Sequence, residues 1–224
     1  SHIYILPKKD YNSWELEFFD NSKNFRIYQL KLIKKYLSGH LAEVGPGNGA
    51  NLNYYIDTPI KIDLFEPSKK HYLNLKKKFK KHNKIKFYNK FLSGKKKYDT
   101  ILYLDVIEHI KEDKKEVVKA LNLLKKNGNL IINVPAFSYL YSKFDKDVGH
   151  YRRYSKKNFK KVDFIYYDTI GFFLSLLSKV LVSNYKKNFE KKIKLWNSMI
   201  WLSKIIDFIS FRFFGKSLLV IIKK

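Results

Sequence analysis

Gly45, Gly47 and Gly49 stand at alternate positions directly after the apolar run Leu41-Ala42-Glu43-Val44. A buried strand that runs into such a turn lets a ligand sit against the main chain, because glycine has no Cβ and tolerates positive φ. Twenty-one residues beyond Gly45, at the end of a second apolar run from Ile60 to Phe65, stands Glu66. A carboxylate at that strand end can accept both hydroxyls of a ribose. Together these features place a nucleoside-bearing cofactor across the carboxyl ends of parallel strands. The dinucleotide fingerprint G-x-G-x-x-G aims helix amides at a pyrophosphate. Here the third glycine comes one residue early and the acidic Glu43 precedes the loop. That arrangement suits a cationic aminoacyl group better than a pyrophosphate.

The string Glu43-x-Gly45-x-Gly47-x-Gly49 resembles motif I of class I S-adenosylmethionine-dependent methyltransferases. Tyr98-Asp99-Thr100-Ile101-Leu102-Tyr103-Leu104-Asp105-Val106-Ile107-Glu108-His109-Ile110 is similar to motif IV of the same superfamily. Leu121 to Lys126, the turn Asn127-Gly128 and the run Leu130 to Pro135 are similar to the helix, turn and fifth strand that follow, with Asn129 in place of a second turn glycine. Gly149-His150-Tyr151-Arg152-Arg153-Tyr154-Ser155 and the stretch Phe214 to Lys223 resemble a bacterial type 11/12-like subgroup, some of whose members are joined to, or encoded beside, glycosyltransferases. The resemblance runs from about Trp14 to the end of the chain.

The resemblance implies S-adenosylmethionine as cofactor. Glu43, Gly45, Pro46, Gly47 and Gly49 would line its methionine part, Glu66 would bind the ribose and Pro67 would flank it. In many relatives an acid after the third strand holds the adenine amino group. Phe91 stands near that place, so the contact is expected to be missing or made by backbone. Tyr103, Leu104, Asp105 and Val106 would lie beside the adenosine and methionine groups. His109 and His150 are the candidates for a general base, with His109 equally readable as a residue that fixes the loop after the fourth strand. Tyr139, Tyr151, Arg152, Arg153 and Trp196 are the candidates for substrate contact. One arginine bound to an anionic acceptor and the other paired to Asp145 or Asp147 would fit, and so would a structural latch over the cofactor. The implied activity is methylation of oxygen or nitrogen on a small or lipid-linked metabolite, such as a glycan sugar. A nucleic-acid methyltransferase and a non-catalytic membrane-surface binding module are the alternatives. Against the first stands Leu104-Asp105-Val106-Ile107, where nucleic-acid enzymes carry N/D-P-P-Y/F.

The net charge of +26 from 46 basic and 20 acidic residues points toward anionic partners. Yet only Arg26, Arg152, Arg153 and Arg212 are arginines, and specific phosphate recognition leans on the guanidinium fork. The lysine excess, with abundant Asn, Ile, Tyr and Phe, is what an A/T-rich coding sequence writes by default. No specific nucleic-acid partner is therefore expected. Contact with an anionic membrane surface is compatible with the charge. The chain has no cysteine, and its six histidines lack metal-ligand spacing, so no metal is expected. The longest uncharged apolar stretches lie between Asp168 and Lys179 and between Lys194 and Lys204, well short of the roughly 20 residues of a spanning helix. No signal peptide is visible. The expected location is the cytoplasm, extending to the inner face of the membrane.

These residues need a scaffold. Strands are expected at Leu41–Val44, Lys61–Phe65, Ile85–Tyr88, Thr100–Leu104, Leu130–Val134, Phe164–Tyr167 and Ser217–Ile222. Helices are expected from about Ala50, from Lys69 to Lys81 and from Lys114 to Leu124. Such alternation gives an α/β fold: a seven-stranded, mostly parallel Rossmann-like sheet with helices on both faces. The resemblance adds an antiparallel last strand inserted beside the sixth. A single domain, 1–224, is expected. Within it, residues 1–38 form a helical cap on the sheet edge that partly covers the cofactor, and 168–214 form a helical insert. The insert carries more apolar surface than one connecting helix can bury. It reads as a packed subdomain, a substrate lid or an amphipathic membrane contact.

Overall fold

The computed structural model describes residues 15–58, 60–159, 162–180, 186 and 188–224. Trp14, and Tyr185 and Lys187 of the insert, lie outside them. In chain order the elements are α1 (Leu16–Asp20), α2 (Lys23–Ile33), β1 (His40–Val44), β2 (Lys61–Phe65), α3 (Lys69–Phe79), β3 (Ile85–Tyr88), β4 (Tyr98–Leu104), α4 (Asp113–Leu123), β5 (Leu124–Pro135), α5 (Lys143–Asp147), β6 (Asp163–Tyr167), α6 (Thr169–Val180), α7 (Phe189–Ser198), α8 (Ile200–Ile209) and β7 (Ser217–Lys223). The seven strands form one sheet in the order β3-β2-β1-β4-β5-β7-β6. β1 pairs in parallel with β2 and β4, and β7 runs antiparallel between β5 and β6, as expected.

Strand periodicity sorts the side chains into two cores. Leu41, Leu102, Leu104, Ile131, Leu219 and Ile221 join one buried cluster, with Leu32 and Ile33 of α2, Leu75 and Phe79 of α3, and Trp196 and Ile200 of the insert. Ala42, Ile101, Tyr103, Leu130, Ile132, Leu218 and Val220 join the other, with Ala120 and Leu123 of α4. Each large side chain so buried stabilises the fold by about 1.5–3 kcal/mol relative to exposure.

Two expectations are corrected. The helix expected from Ala50 is a single 3-10 turn, Leu52–Tyr54. Local side chains compete for its backbone: Thr58 Oγ1 donates to Tyr55 O at 2.6 Å and Asn53 Nδ2 to Ala50 O at 3.4 Å. Pro59 in the sequence further disfavours helix at Thr58. The N-terminal cap lies over a sheet face rather than along its edge, with Tyr28, Leu32 and Ile33 in the first core.

The insert is tied to that core by buried carboxylates. Asp207 accepts from Tyr28 Oη (2.7 Å), Asp168 N (2.8 Å) and Thr169 N (3.0 Å). Asp168 accepts from Trp196 Nε1 (2.9 Å) and Ser203 Oγ (3.0 Å). The outer surface remains apolar: Phe173 and Leu177 on α6, Trp201, Ile205 and Phe208 on α8, and Phe211 and Phe213 beyond it are all exposed.

Candidate functional site

The glycine loop leaves β1 with φ of +66°, +56° and +74° at Gly45, Gly47 and Gly49, a conformation that residues with a Cβ adopt at a cost. Space matters as much as φ. A Cβ on Gly49 would stand 2.6 Å from Phe79 Cε2 and 2.7 Å from Leu75 Cδ2. Gly49→Ala is therefore expected to lose about 1–2 kcal/mol to the left-handed backbone and about 1–3 kcal/mol more to overpacking, read as a lowered denaturation midpoint.

Glu66 closes the loop from the end of β2. Its Oε2 accepts Gly47 N at 3.0 Å and its Oε1 accepts Ser68 N at 2.8 Å. Asn89, the first residue after β3, donates to Glu66 O (2.9 Å) and Pro67 O (3.1 Å) and so fixes the neighbouring turn. Burial raises the Glu66 carboxyl and the two amides pull it back, leaving it at about 7. Glu43 lies deeper, 2% exposed, and accepts a hydrogen bond from Tyr55 Oη. Burial raises it too; the Tyr55 bond and Arg26 oppose, Glu66 adds, and it settles at about 7. α1 covers the loop: Leu16 reaches Gly47, and Asn48 Nδ2 donates to Asp20 at 3.0 Å. Arg26 of α2 bridges Asp20 (3.2 Å) and Asn51 (2.5 Å).

β4 delivers the second half of the site. Asp105 leaves the strand at φ +57°, and Asn133 Nδ2 donates to its Oδ1 at 2.7 Å. Tyr167 Oη in turn donates to Asn133 (2.9 Å), and Gln29 Nε2 donates to Tyr167 (2.9 Å), which links α2 to the β4 end. Asp105 opens to solvent, yet desolvation by the protein around it still pushes its carboxyl up, against the Asn133 bond and the fields of Arg26, His150 and Lys216. Glu108 is 1% exposed, and neither of its carboxylate oxygens has a hydrogen-bond partner among the described residues. Burial pushes its carboxyl well up, and the fields of Asp105 and Asp145 add. His109 is driven down to about 3 by burial and by His150, against a hydrogen bond to the Gly149 backbone.

The segment after α5 folds back over this end. Tyr151 N donates to Glu108 O at 2.8 Å. His150 Nδ1 donates to Asp145 Oδ1 at 2.8 Å, and its Nε2 faces Glu108 Oε1 at 3.9 Å. Arg153 Nε donates to the same Asp145 Oδ1 at 2.9 Å. Burial alone would raise the Asp145 carboxyl, but the bonds from His150 and Arg153 outweigh it and hold it at about 2. The His109 and His150 rings meet edge to face, 4.7 Å between centroids. Ligand atoms of Glu108, His109 and His150 all lie within 4.8 Å of one another, although the sequence shows no metal-ligand spacing.

Glu43, Gly45, Pro46, Gly47, Gly49, Glu66 and Pro67 thus lie at the carboxyl ends of the paired strands β1 and β2, with Leu104, Asp105 and Val106 at the end of β4 beside them. Val106 Cγ2 would meet a Cβ on Gly45 at 2.8 Å. Phe91 is half-buried in the turn after β3, where Asn89 rather than an acid leaves the strand. Tyr139, half exposed, stacks on Phe137 at 5.2 Å. Tyr151 is exposed beneath the Arg152 guanidinium. Four readings are corrected. Tyr103 points to the opposite face, its hydroxyl on Glu116 at 2.7 Å, because alternation puts its neighbours Leu102 and Leu104 on the first face. Trp196 is buried in the core and donates to Asp168. Arg153 is spent on Asp145, the partner foreseen for one of the pair. Arg152 is not free for an anionic acceptor: it pairs with Asp113 at 2.5 Å and donates to Lys111 O at 2.9 Å. Sequence reasoning missed Tyr55, Asn133 and Glu108. Only Glu108, two residues after Val106 and next to His109, carried a local signal.

A methyltransferase-domain family profile matches residues 21–175. A search of curated proteins finds no match. Among solved structures, a SAM-dependent methyltransferase from Archaeoglobus fulgidus is similar at 15% identity over 96% of this chain and 100% of that one, with a TM-score of 0.60. Coclaurine N-methyltransferase bound to N-methylheliamine and SAH is similar at 16% identity over 89% and 72%, with a TM-score of 0.56. Phosphoethanolamine N-methyltransferase 2 of Haemonchus contortus, in complex with S-adenosyl-L-methionine, is similar at 14% identity over 94% of this chain and 57% of that one, with a TM-score of 0.62. With the profile spanning more than half of its length, the chain belongs to the methyltransferase-domain family and has the class I fold of S-adenosylmethionine-dependent methyltransferases.

Proposed function

We propose that the chain transfers the methyl group of S-adenosylmethionine to an oxygen or nitrogen of a small or lipid-linked acceptor, such as a sugar of a glycan. The observation that carries this reading is the Glu66 carboxylate, buried at the end of β2 and bonded to the amide of Gly47 in the glycine loop. The donor set fits the cofactor. Glu66 offers acceptors for two ribose hydroxyls, Glu43 and Asp105 offer negative charge to an ammonium, and the loop backbone can approach closely. When bound, the cofactor supplies an electrophilic methyl group on sulfur. The chain positions the acceptor against it. Asp105, Glu108, His109 and His150 form the polar end of the acceptor side.

The lipid-linked reading rests on the insert. Among the described residues no helix is long and apolar enough to cross a membrane. α6 abuts the loop that carries Tyr139, with Phe172 against Phe137 at 5.7 Å, while Phe173 and Leu177 of the same helix face outward. Trp201 is 62% exposed and Phe208 79%. An exposed apolar face on a chain of net charge +26 suits the surface of an anionic membrane. After incubation of cell extract with methyl-labelled cofactor, label is expected in the lipid-extractable fraction and not with Glu66→Ala. Label confined to nucleic acid would overturn this reading in favour of an RNA-modifying enzyme.

The carboxyl at about 7 gives a second test. Ribose hydroxyls donate to the ionised form, and Glu66 holds a proton below pH 7. Affinity for S-adenosylhomocysteine should therefore rise about tenfold from pH 6 to pH 8, with proton uptake by the buffer on binding. Glu43 titrates in the same range and sense, opposed by Arg26, while Gly47 N and Ser68 N face Glu66 itself. Glu66→Gln should flatten most of the profile. A flat profile in the unmodified chain would contradict the assignment.

A further inference from the structure

We propose that Glu108, His109 and His150 form a site for one divalent metal ion of the zinc type, and that this ion holds an oxygen of the acceptor beside the methyl donor. The inference rests on the methyltransferase reading for its role, though not for the site itself. Two independent observations carry it. Ligand atoms of the three residues lie within 4.8 Å of one another, and the Glu108 carboxylate is 1% exposed with no hydrogen-bond partner on either oxygen among the described residues. A buried carboxylate without partners is costly, and proteins resolve such cases by pairing, protonation or metal coordination. Pairing with arginine is closed off here, since Arg153 is engaged by Asp145 and Arg152 by Asp113; the basic group that does face the carboxylate, His150 Nε2 at 3.9 Å, is itself a member of the ligand set.

The imidazoles are held as metal ligands are held. His150 donates from Nδ1 to Asp145, which is clamped by Arg153, and this turns Nε2 toward Glu108. The His109 ring is bonded to the Gly149 backbone. A carboxylate or carbonyl on the far nitrogen is the usual outer-shell partner of a ligating histidine. The distances agree with a site that contracts on binding. A cation with bonds of about 2.1 Å at tetrahedral angles separates its ligand atoms by about 3.4 Å; His150 Nε2 and Glu108 Oε1 are 3.9 Å apart. Two imidazoles and one carboxylate suit zinc and its transition-metal neighbours better than magnesium or calcium, and leave a fourth position open.

The ligand set lies just beyond β4: Glu108 is two residues from Val106, which packs against Gly45 of the cofactor loop. A hydroxyl bound at the open position would ionise far more readily than in water. The transfer balances without another reactant. The acceptor O–H releases its proton to solvent, a C–O bond forms as the methyl C–S bond breaks, and the electron pair stays on sulfur. The acceptor is then a hydroxyl compound, which selects oxygen over nitrogen.

Cobalt(II) is the probe. Chelator-treated chain titrated with cobalt(II) should develop a visible d–d absorption that saturates at one equivalent and is displaced by zinc. Glu108→Gln and, separately, His150→Gln should abolish it, while S-adenosylhomocysteine affinity by calorimetry changes less than threefold and reports that each variant is folded. A chain that binds S-adenosylhomocysteine but shows no saturable band, or a band that both variants retain, overturns the metal site and leaves the methyltransferase reading standing. Failure of the unmodified chain to bind S-adenosylhomocysteine overturns the methyltransferase reading, and the cobalt spectrum then decides the site alone.

Discussion

Asp145→Ala is expected to lower the stability of the chain by about 3–5 kcal/mol, the scale for removing one partner of a buried ion pair. For a chain of this size that corresponds to a fall of roughly 6–20 °C in melting temperature. Asp145 is fully buried and receives Arg153 Nε, His150 Nδ1, Ser142 N and Ser142 Oγ. Its loss leaves a guanidinium buried without its counter-charge and removes the N-terminal capping box of α5. Arg153→Lys keeps the charge but loses the Nε geometry, and should move the melting temperature in the same direction by less. Arg152→Ala, at the surface, should change stability little, since exposed pairs contribute about 0–1 kcal/mol. Melting curves of the three variants check this ordering. An Asp145→Ala chain with unchanged melting temperature and lost turnover would instead make the His150 segment a direct acceptor contact.

Glu66→Ala should weaken S-adenosylhomocysteine binding by about 1.5–3 kcal/mol, roughly 10- to 150-fold, the range for hydrogen bonds to a charged group. Two effects act together. The ribose loses its acceptors, and the amide of Gly47 loses the carboxylate that fixes the loop. The Ser68 amide, which donates to the other oxygen, Oε1, is left to solvent at the start of α3. Unchanged affinity in calorimetry would mean that the ribose lies elsewhere.

Most of the sheet was legible because strand signals are local. Lys61–Phe65 and Ile85–Tyr88 are bounded in the structure as the apolar runs suggest, and the others shift by one or two residues at their ends except β5, which begins at Leu124 rather than Leu130 and takes in the expected end of the helix and the Asn127-Gly128 turn. Spacing alone implied the crevice, since Gly45, Gly47, Gly49 and Glu66 bracket β1 and β2, which pair directly. What stayed hidden is long-range. Tyr55 reaches Glu43 only because the segment after the glycine loop collapses into a 3-10 turn. Asn133 and Tyr167 reach Asp105 through β5 and β6, which are separated in the sheet by β7. His150 meets Glu108 across more than forty residues of chain, so no window of sequence shows the pair. Arg152 and Arg153 looked like anion binders because arginine is scarce here. Asp145, which occupies Arg153, was one of the two partners expected for the pair, whereas Asp113, which occupies Arg152 from far upstream in the chain, carried no local signal.

Isothermal calorimetry of the purified chain with S-adenosylhomocysteine, and in parallel with NAD, tests the central claim most directly. One site of micromolar affinity for S-adenosylhomocysteine, weakened by Glu66→Ala, is expected, with no heat from NAD. Binding of NAD without binding of S-adenosylhomocysteine would contradict it.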